Sequence, residues 1–382
     1  MDRKNHFILV QQIKSKQILL GCWWNYSRYP NFQHAMIQLK IQQNQESMIE
    51  IQKEKEFSLS YQTSQINEKF KLINSIKHSR KSNSLIFNST SSILVVTSNE
   101  NLILFHFKQG HIKKISQIIG NYFINNCLLF MNLQNQIISS NSNCQIRFQS
   151  LYLSNNNKRL QLIKINDDDY QINCMLNNRE ENLLIIGMDN QINFLEKKNQ
   201  WRFVQSIEID GNIRGLTLNE SQNMILACGS FNYILVIKKD IKDWKLSKQF
   251  HLFVEGARIV FYQDKKFAFQ PWCWHTLDIY AIDSKDEISL IQQVQIKNST
   301  FKTCAAYSPL QFIENKSILL SKNQNCLIIL KLRKNGEFVN EQTIEFNFPF
   351  LYGHLSNDGN YLVIWERHIK KIQIWQYISN DQ

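Results

Sequence analysis

Glycine and proline are both scarce in this chain of 382 residues, which holds eleven of the one and four of the other. Collagen-like and Gly/Pro-rich low-complexity architectures are excluded on that ground. Turns then have to be built mainly from Asn, Asp and Ser, which tolerate left-handed backbone and cap their own turns. Long hydrophobic runs are missing too, since no apolar stretch approaches the roughly 20 residues of a membrane-spanning helix. The start, Met1 to Lys14, has only Phe7–Val10 as an apolar core and lacks a small-residue cleavage site, so no secretory signal is expected. The eight cysteines (Cys22, Cys127, Cys144, Cys174, Cys228, Cys273, Cys304 and Cys326) include no CxxC pair and no metal-ligand spacing. No metal or other cofactor is therefore expected. Most of these cysteines sit in apolar runs and read as small buried hydrophobes, and the compartment implied is a reducing one, the cytoplasm with the nucleus as the alternative.

Catalytic signatures are absent as well: no GxGxxG, Walker loop, GxSxG, HExxH or EF-hand loop occurs. The run Asp167-Asp168-Asp169 could hold a cation, but consecutive loop carboxylates are more often simply solvated. An enzyme is not expected.

What is present is an ordinary globular balance, 43% apolar and 20% charged. Asn and Gln make up about a fifth of the chain, a bias that fits an AT-rich genome. The formal charge is +12, and residues 1–84 carry thirteen Lys/Arg against six Asp/Glu, so +7 of it lies there. A dense stretch, Lys69, Lys71, Lys77, Arg80 and Lys81, closes that segment. Such charge attracts nucleic acid, membranes or acidic proteins without choosing among them, and a merely solvated surface is the plainer reading.

A repeat emerges when short β-like runs are stacked. Apolar pairs recur at Ile103/Phe105, Ile146/Phe148, Ile192/Phe194, Ile234/Val236, Ile279/Ala281, Ile328/Leu330 and Ile372/Ile374, with spacings of 43, 46, 42, 45, 49 and 44 residues. A period in the mid-forties is that of four-stranded propeller blades. The fourth unit shows all its strands, Ile213–Leu218, Met224–Ala227, Ile234–Ile237 and Trp244–Phe250, parted by the polar turns Asn219–Asn223 and Gly229–Asn232. No stretch after residue 64 keeps a helical period, so few helices are expected. The chain ends ten residues after Ile372, too soon for a last outer strand. Lys69–Lys77, KFKLINSIK, mirrors the outer strand Gln200–Glu208, QWRFVQSIE, and supplies it. The expectation is an all-β, closed seven-bladed β-propeller over residues 65–382, its last blade completed by an N-terminal strand so that no long edge is left unpaired.

The run GMDNQINFLEK in the third unit resembles the WD40-repeat family, and the resemblance spans about residues 69 to 377. It implies that Asp189 takes the family's structural Asp and that His78 sits where its Gly-His is expected. Elsewhere the Asp position is Glu100, Asn143, Phe231, Thr276, Asn325 or Ile369, and no Trp-Asp dipeptide is present. Most blades are thus expected to lack that family's hydrogen-bond network and to rely on apolar packing. FKQGHIKKISQI and FVNEQTIEFNFPFLYGHLSNDGNYLVIWE resemble segments of an expanded set of WD-repeat proteins from AT-rich protists.

Residues 1–64 fall outside the repeat. Alternation in His34–Gln42 and Ser47–Tyr61 suggests strands, with a helix over Phe32–Gln52 as the competing reading, and the cluster Cys22-Trp23-Trp24-Asn25-Tyr26 reads as packing. This accessory segment is expected to pack on or beside the ring.

The innermost strands, read as LIFNS, CLLFMN, INCML, IRGLTL, RIVFY, CAAYS and YGHLS, offer mostly apolar groups to a central channel. The most unusual local sequence is FAFQPWCWHTLDIY in the fifth unit, where Gln270 to Leu277 is expected as the turn between the second and third strands. Exposed Trp is a frequent interface anchor; a Trp capping the neighbouring blade is the alternative. Arg80, Lys81, Arg214, Arg258, Trp272, Trp274 and His275 are expected on one face. The resemblance implies a non-enzymatic scaffold, a monomeric ring within a larger complex, binding protein partners (acidic ones among them) and no membrane. Two alternatives stand beside it: a subunit of an RNA-containing assembly such as ribosome biogenesis, using the basic stretch on phosphates, and an adaptor resembling the WD-repeat component of cytosolic iron–sulfur protein assembly.

Overall fold

The computed structural model describes residues 69–99, 101–119, 127–141, 144–151, 161–165, 171–297 and 309–378. They belong to the compact unit Asn67–Gln382. The readings made on residues 1–64, on Asp167–Asp169, on Glu100 and on Asn143 lie outside the described residues. Among those described, regular structure is all β apart from one 3-10 turn, Glu314–Lys316.

Lys69–Lys77 forms β1. Blade one follows as Leu85–Phe87 (β2), Ile93–Ser98 (β3), Asn101–Lys108 (β4) and His111–Ile118 (β5). Blade two is Leu128–Met131 (β6), Gln136–Ser140 (β7), Gln145–Ser150 (β8) and Gln161–Lys164 (β9). Blade three is Ile172–Asn177 (β10), Leu183–Met188 (β11), Gln191–Lys197 (β12) and Trp201–Glu208 (β13). Blade four is Ile213–Leu218 (β14), Met224–Gly229 (β15), Phe231–Asp240 (β16) and Asp243–His251 (β17). Blade five is Gly256–Gln263 (β18), Lys266–Pro271 (β19), Thr276–Ile282 (β20) and Ile288–Gln295 (β21). Blade six is Gln311–Ile313 (β22), Ile318–Asn323 (β23), Cys326–Leu332 (β24) and Phe338–Glu345 (β25). Blade seven is Leu351–Leu355 (β26), Tyr361–Glu366 (β27) and Lys371–Ile378 (β28), with β1 as its outer strand in the order β1-β28-β27-β26. The ring is a seven-bladed β-propeller closed by its first strand. In blade six the inner strand is Gln311–Ile313 rather than the expected CAAYS, which lies outside the described residues. In blade four the expected turn Gly229–Asn232 shrinks to Ser230, because Gly229 ends β15 and Phe231 opens β16.

The core does not lie at the ring's centre. It is divided into seven clusters, each filling the gap between two neighbouring blades. Blades three and four, for example, share Ile185, Ile192, Phe194, Ile225, Leu235 and Trp244. Continuous apolar runs such as LLIIGM (β11) and MILACG (β15) follow from this, since a middle strand is covered on both faces. A fully buried residue of this size contributes roughly 1.5–3 kcal/mol, so the inter-blade gaps carry most of the stability. Close packing also dictates Gly229: a Cβ there would lie 2.0 Å from the Asn212 carbonyl oxygen. Gly229→Ala is expected to cost about 1–3 kcal/mol, read as a lower urea midpoint at unchanged m-value.

The expectation that the blades rely on apolar packing alone needs correction. A different hydrogen-bond system joins them, built from the outer strands. Gln205 Nε2 donates to the Trp244 carbonyl (2.5 Å) and the Trp244 N–H donates back to its Oε1 (2.9 Å). The same two-bond clasp joins Gln161 to Trp201, Gln292 to Phe338 and Gln342 to Phe70. Asn74 reaches the Gly110 carbonyl (3.2 Å), and Lys248 pairs with Glu287 (2.6 Å) at the position where five blades have an amide and blade one has Ser116. Each clasped residue is also the aromatic that plugs the gap behind it, as Trp201 does by stacking on Phe148. A bulge at the residue before the clasp position (Ile73, Ile115, Val204, Ser247, Ile291 and Glu341) breaks the two-residue alternation. It leaves successive apolar side chains exposed, such as Phe203/Val204 and Leu290/Ile291, while twisting the strand against edge-to-edge pairing. Gln292→Leu strands the Phe338 N–H and C=O, and a loss of about 1–3 kcal/mol is expected in urea unfolding.

The scarcity of glycine also has its outcome. Among the described residues, thirteen non-glycines take positive φ against four glycines. Of the thirteen, Ser91, Asn99, Asn135, Asp286 and Ser317 are of the expected types, and the rest include Gln109, Glu181, Gln222 and Lys370. Asn serves more as a cap: the Asn219 side chain accepts the N–H groups of Asn223 and Met224, and Asn178 those of Asn182 and Leu183.

Candidate protein-binding rim

Strand direction sorts the connections onto two rims. Every link from an outer strand to the next inner strand, and every turn between a blade's second and third strands, opens on one rim. The remaining turns open on the other. That second rim is tied by side-chain bonds across blades: Glu181 accepts from the N–H groups of Asn132 and Leu133, Asp264 from Ser221, and Gln222 from Arg179. The first rim carries the residues singled out from sequence.

His78 is buried, its N–H donating to the Lys370 carbonyl (2.8 Å) and its carbonyl accepting from Trp365 Nε1 (3.5 Å). Burial lowers its pKa against an opposing hydrogen bond to the Thr97 backbone. Its Nε2 meets no partner among the described residues. Asp189 accepts from the Gln171 N–H (3.0 Å) and from Asn173 Nδ2 (3.0 Å), fastening the link that enters β10. Those are structural roles.

The turn after β19 is Trp272–His275. The Arg214 guanidinium lies 4.1 Å over the Trp272 ring and pairs with Glu255 at 2.7 Å. The Trp272 N–H donates to the Glu255 carbonyl (2.9 Å), so backbone and side chain are pinned together. Trp274 stacks on the exposed His275 (5.1 Å between centroids), and its carbonyl accepts from Asn323 of blade six (2.8 Å). Both Trp side chains are half-buried, neither wholly packed beneath blade six. Phe253, in the link between blades four and five, is fully exposed on the same rim.

Two of the expected placements need correction. Arg258 is 2% exposed and donates to the Lys322 carbonyl (2.9 Å), because the start of β18 faces the channel wall rather than the rim. Arg80 and Lys81 are exposed on the same rim, yet they lie at the junction of blades seven and one, with blades six and seven between them and the Trp272 turn of blade five. The residues share a rim and form two patches. Phe253 and Glu255 were missed from the sequence, although the run LFVEG, an apolar pair in a link, carried a signal.

A cavity of about 290 Å³ occupies the channel, lined from every blade by residues including Ile86, Leu128, Met175, Leu216, Ile259, Gln311 and His354. Its titratable groups are muted. Burial pushes the Cys127 thiol up to about 12 and raises Cys174, and it lowers His354 to about 4. No carboxylate among the described residues lines it. Among the described residues no group of three or more His, Cys, Asp or Glu is arranged to hold a metal, and no helix is long and apolar enough to cross a membrane.

No family model matches the chain, and no curated protein matches it. Among solved structures it is similar to a chain in the crystal structure of the mitotic checkpoint complex, with a TM-score of 0.63 over 80% of this chain and 94% of that one, at 12% identity. The fold is that of a WD40-like propeller. At that identity the likeness speaks for the fold alone.

Proposed function

We propose that this chain is a non-enzymatic scaffold that holds a protein partner on the rim carrying Arg214, Trp272, Trp274 and His275, within a multiprotein complex. The observation that carries the reading is the Arg214–Trp272–Glu255 cluster. A rigid, cation-stacked Trp with Trp274 and His275 in its turn and Phe253 on the same rim is a pre-ordered aromatic anchor, the kind of group that dominates interface energetics. Protonated channel thiols, a neutral His354 and a carboxylate-free cavity support the non-catalytic part. The likeness to a chain from a multiprotein assembly supports the partner being protein. Six described cysteines without disulfides fit a reducing compartment, the cytoplasm or the nucleus.

The test is affinity purification of the tagged full chain from its own cells, with and without nuclease. A stoichiometric protein partner that survives nuclease and is lost with Trp272→Ala/Trp274→Ala is expected, since truncating an anchor costs about 2 kcal/mol or more. Loss of every partner on nuclease treatment would favour the RNA-containing assembly instead.

A further inference from the structure

The patch at the junction of blades seven and one has its own chemistry. Lys77 ends β1, Lys371 opens β28, and the two are directly opposite in register. Like charges so placed repel each other. Arg80, Lys81, Arg367, His368 and Lys370 surround them, all exposed. Among the described residues none of these seven side chains pairs with a carboxylate. Glu366 of β27 lies opposite Lys371, but it is 5% exposed and accepts from Gln373 Nε2 (3.1 Å), and Glu345 is held by Lys297. Apolar groups interleave with the cations. Phe348 stacks on His368 at 4.1 Å, the Arg367 guanidinium lies 5.1 Å over the Phe350 ring, and Phe348, Phe350 and Ile369 are each more than a third exposed.

We propose that this junction docks an acidic segment of a partner protein, one in which Asp or Glu residues flank an apolar side chain. A guanidinium lying flat on Phe350 keeps its N–H edges free for bidentate pairing with a carboxylate. Phe348 has a ring face taken by the His368 imidazole and Phe350 one taken by the Arg367 guanidinium, which suits an aliphatic side chain against their edges better than it suits base stacking. Residues 1–66 of the chain carry eight Lys/Arg against five Asp/Glu, so that segment does not complement the patch. A second copy would bring the same sign of charge. The site lies on blades seven and one and on the link entering blade seven, with blade six between it and the Trp272 turn of blade five, and is independent of the anchor proposed there.

The test is fluorescence anisotropy of a short labelled peptide alternating Glu pairs with Leu, titrated with the full-length protein. Oligouridylate and phosphatidylserine vesicles serve as competing probes. Peptide binding is expected, weakened by salt, reduced about tenfold or more by Arg367→Glu/Lys371→Glu, and unchanged by Arg214→Glu. Lys371→Glu would also face the buried Glu366 of β27, so Arg367→Glu alone, at an exposed turn position, is the second variant: its melting temperature should not fall, and its binding loss is then free of a folding defect. No measurable peptide binding, or an affinity indifferent to these reversals, would overturn the proposal. Tighter binding of oligouridylate or vesicles, lost with the same reversals, would overturn it in favour of nucleic acid or membrane. Intact peptide binding by Trp272→Ala/Trp274→Ala protein that has lost its cellular partner would separate the two sites.

Discussion

A chain starting at residue 79 is expected to lose cooperative unfolding and to precipitate, while a chain starting at residue 67 folds as a monomer. The difference is β1. Its nine residues supply the outer strand of blade seven, pairing along β28 from Lys69↔Ile378 to Lys77↔Lys371. Phe70, 1% exposed, fills the gap between blades six and seven and receives the clasp of Gln342. Losing a buried Phe alone costs about 3–5 kcal/mol, close to the whole stability of a marginal domain. Deleting β1 also removes the pairing of an entire strand and bares the edge of β28, a template for aggregation. Analytical ultracentrifugation and circular dichroism during heating would read both outcomes. A monomeric 79–382 chain melting with the longer one would show that the ring does not depend on this closure.

Acid is expected to destabilise the ring through His354. The side chain is buried in the channel wall, its Nδ1 donating to the Leu355 carbonyl at 2.7 Å, and burial lowers its pKa from 6.5 to about 4. Between those values the unfolded chain binds a proton that the folded chain refuses. Stability from this group is therefore complete above pH 6.5 and is lost as the pH falls toward 4, by about 3 kcal/mol in full. His78, lowered by burial, adds to the same trend. Asp278 and Glu366 oppose it, because burial raises both carboxyls and the folded state then takes up protons more readily as the carboxylate range is approached. The steepest loss should thus fall in the upper part of the window. Urea midpoints between pH 7 and 5 would show it, and His354→Gln, which keeps a donor and does not titrate there, should flatten the slope. An equal slope in that variant would place the effect elsewhere.

The period of the repeat was legible because third strands are buried on both faces and so keep their Ile/Phe pairs; each pair read from sequence lies in β4, β8, β12, β16, β20, β24 or β28. Closure was legible because an outer strand has its own pattern, one buried residue followed by exposed ones, shared by β1 and β13. The clasps were written in the same strands, as an apolar residue with an amide four positions on in Trp201/Gln205, Ile288/Gln292, Phe338/Gln342 and Phe70/Asn74. Their meaning depends on a bulge and on a neighbouring blade, neither of which shows in a single strand. Arg258 was misplaced for a related reason: Arg214 and Arg258 hold like positions at the starts of inner strands, and only the packing of β23 against the channel draws Arg258 under the surface. The division of one rim into two patches follows from ring order, which links residues far apart in sequence at the seven–one junction.

The claim most in need of a direct test is that binding takes place on the rim of Trp274. A photo-crosslinking amino acid placed at position 274, and separately at Ile241, which is 93% exposed in a turn of the opposite rim, would decide it in living cells. A discrete protein adduct from position 274 with none from position 241 is predicted. An adduct from position 241 alone would contradict the account.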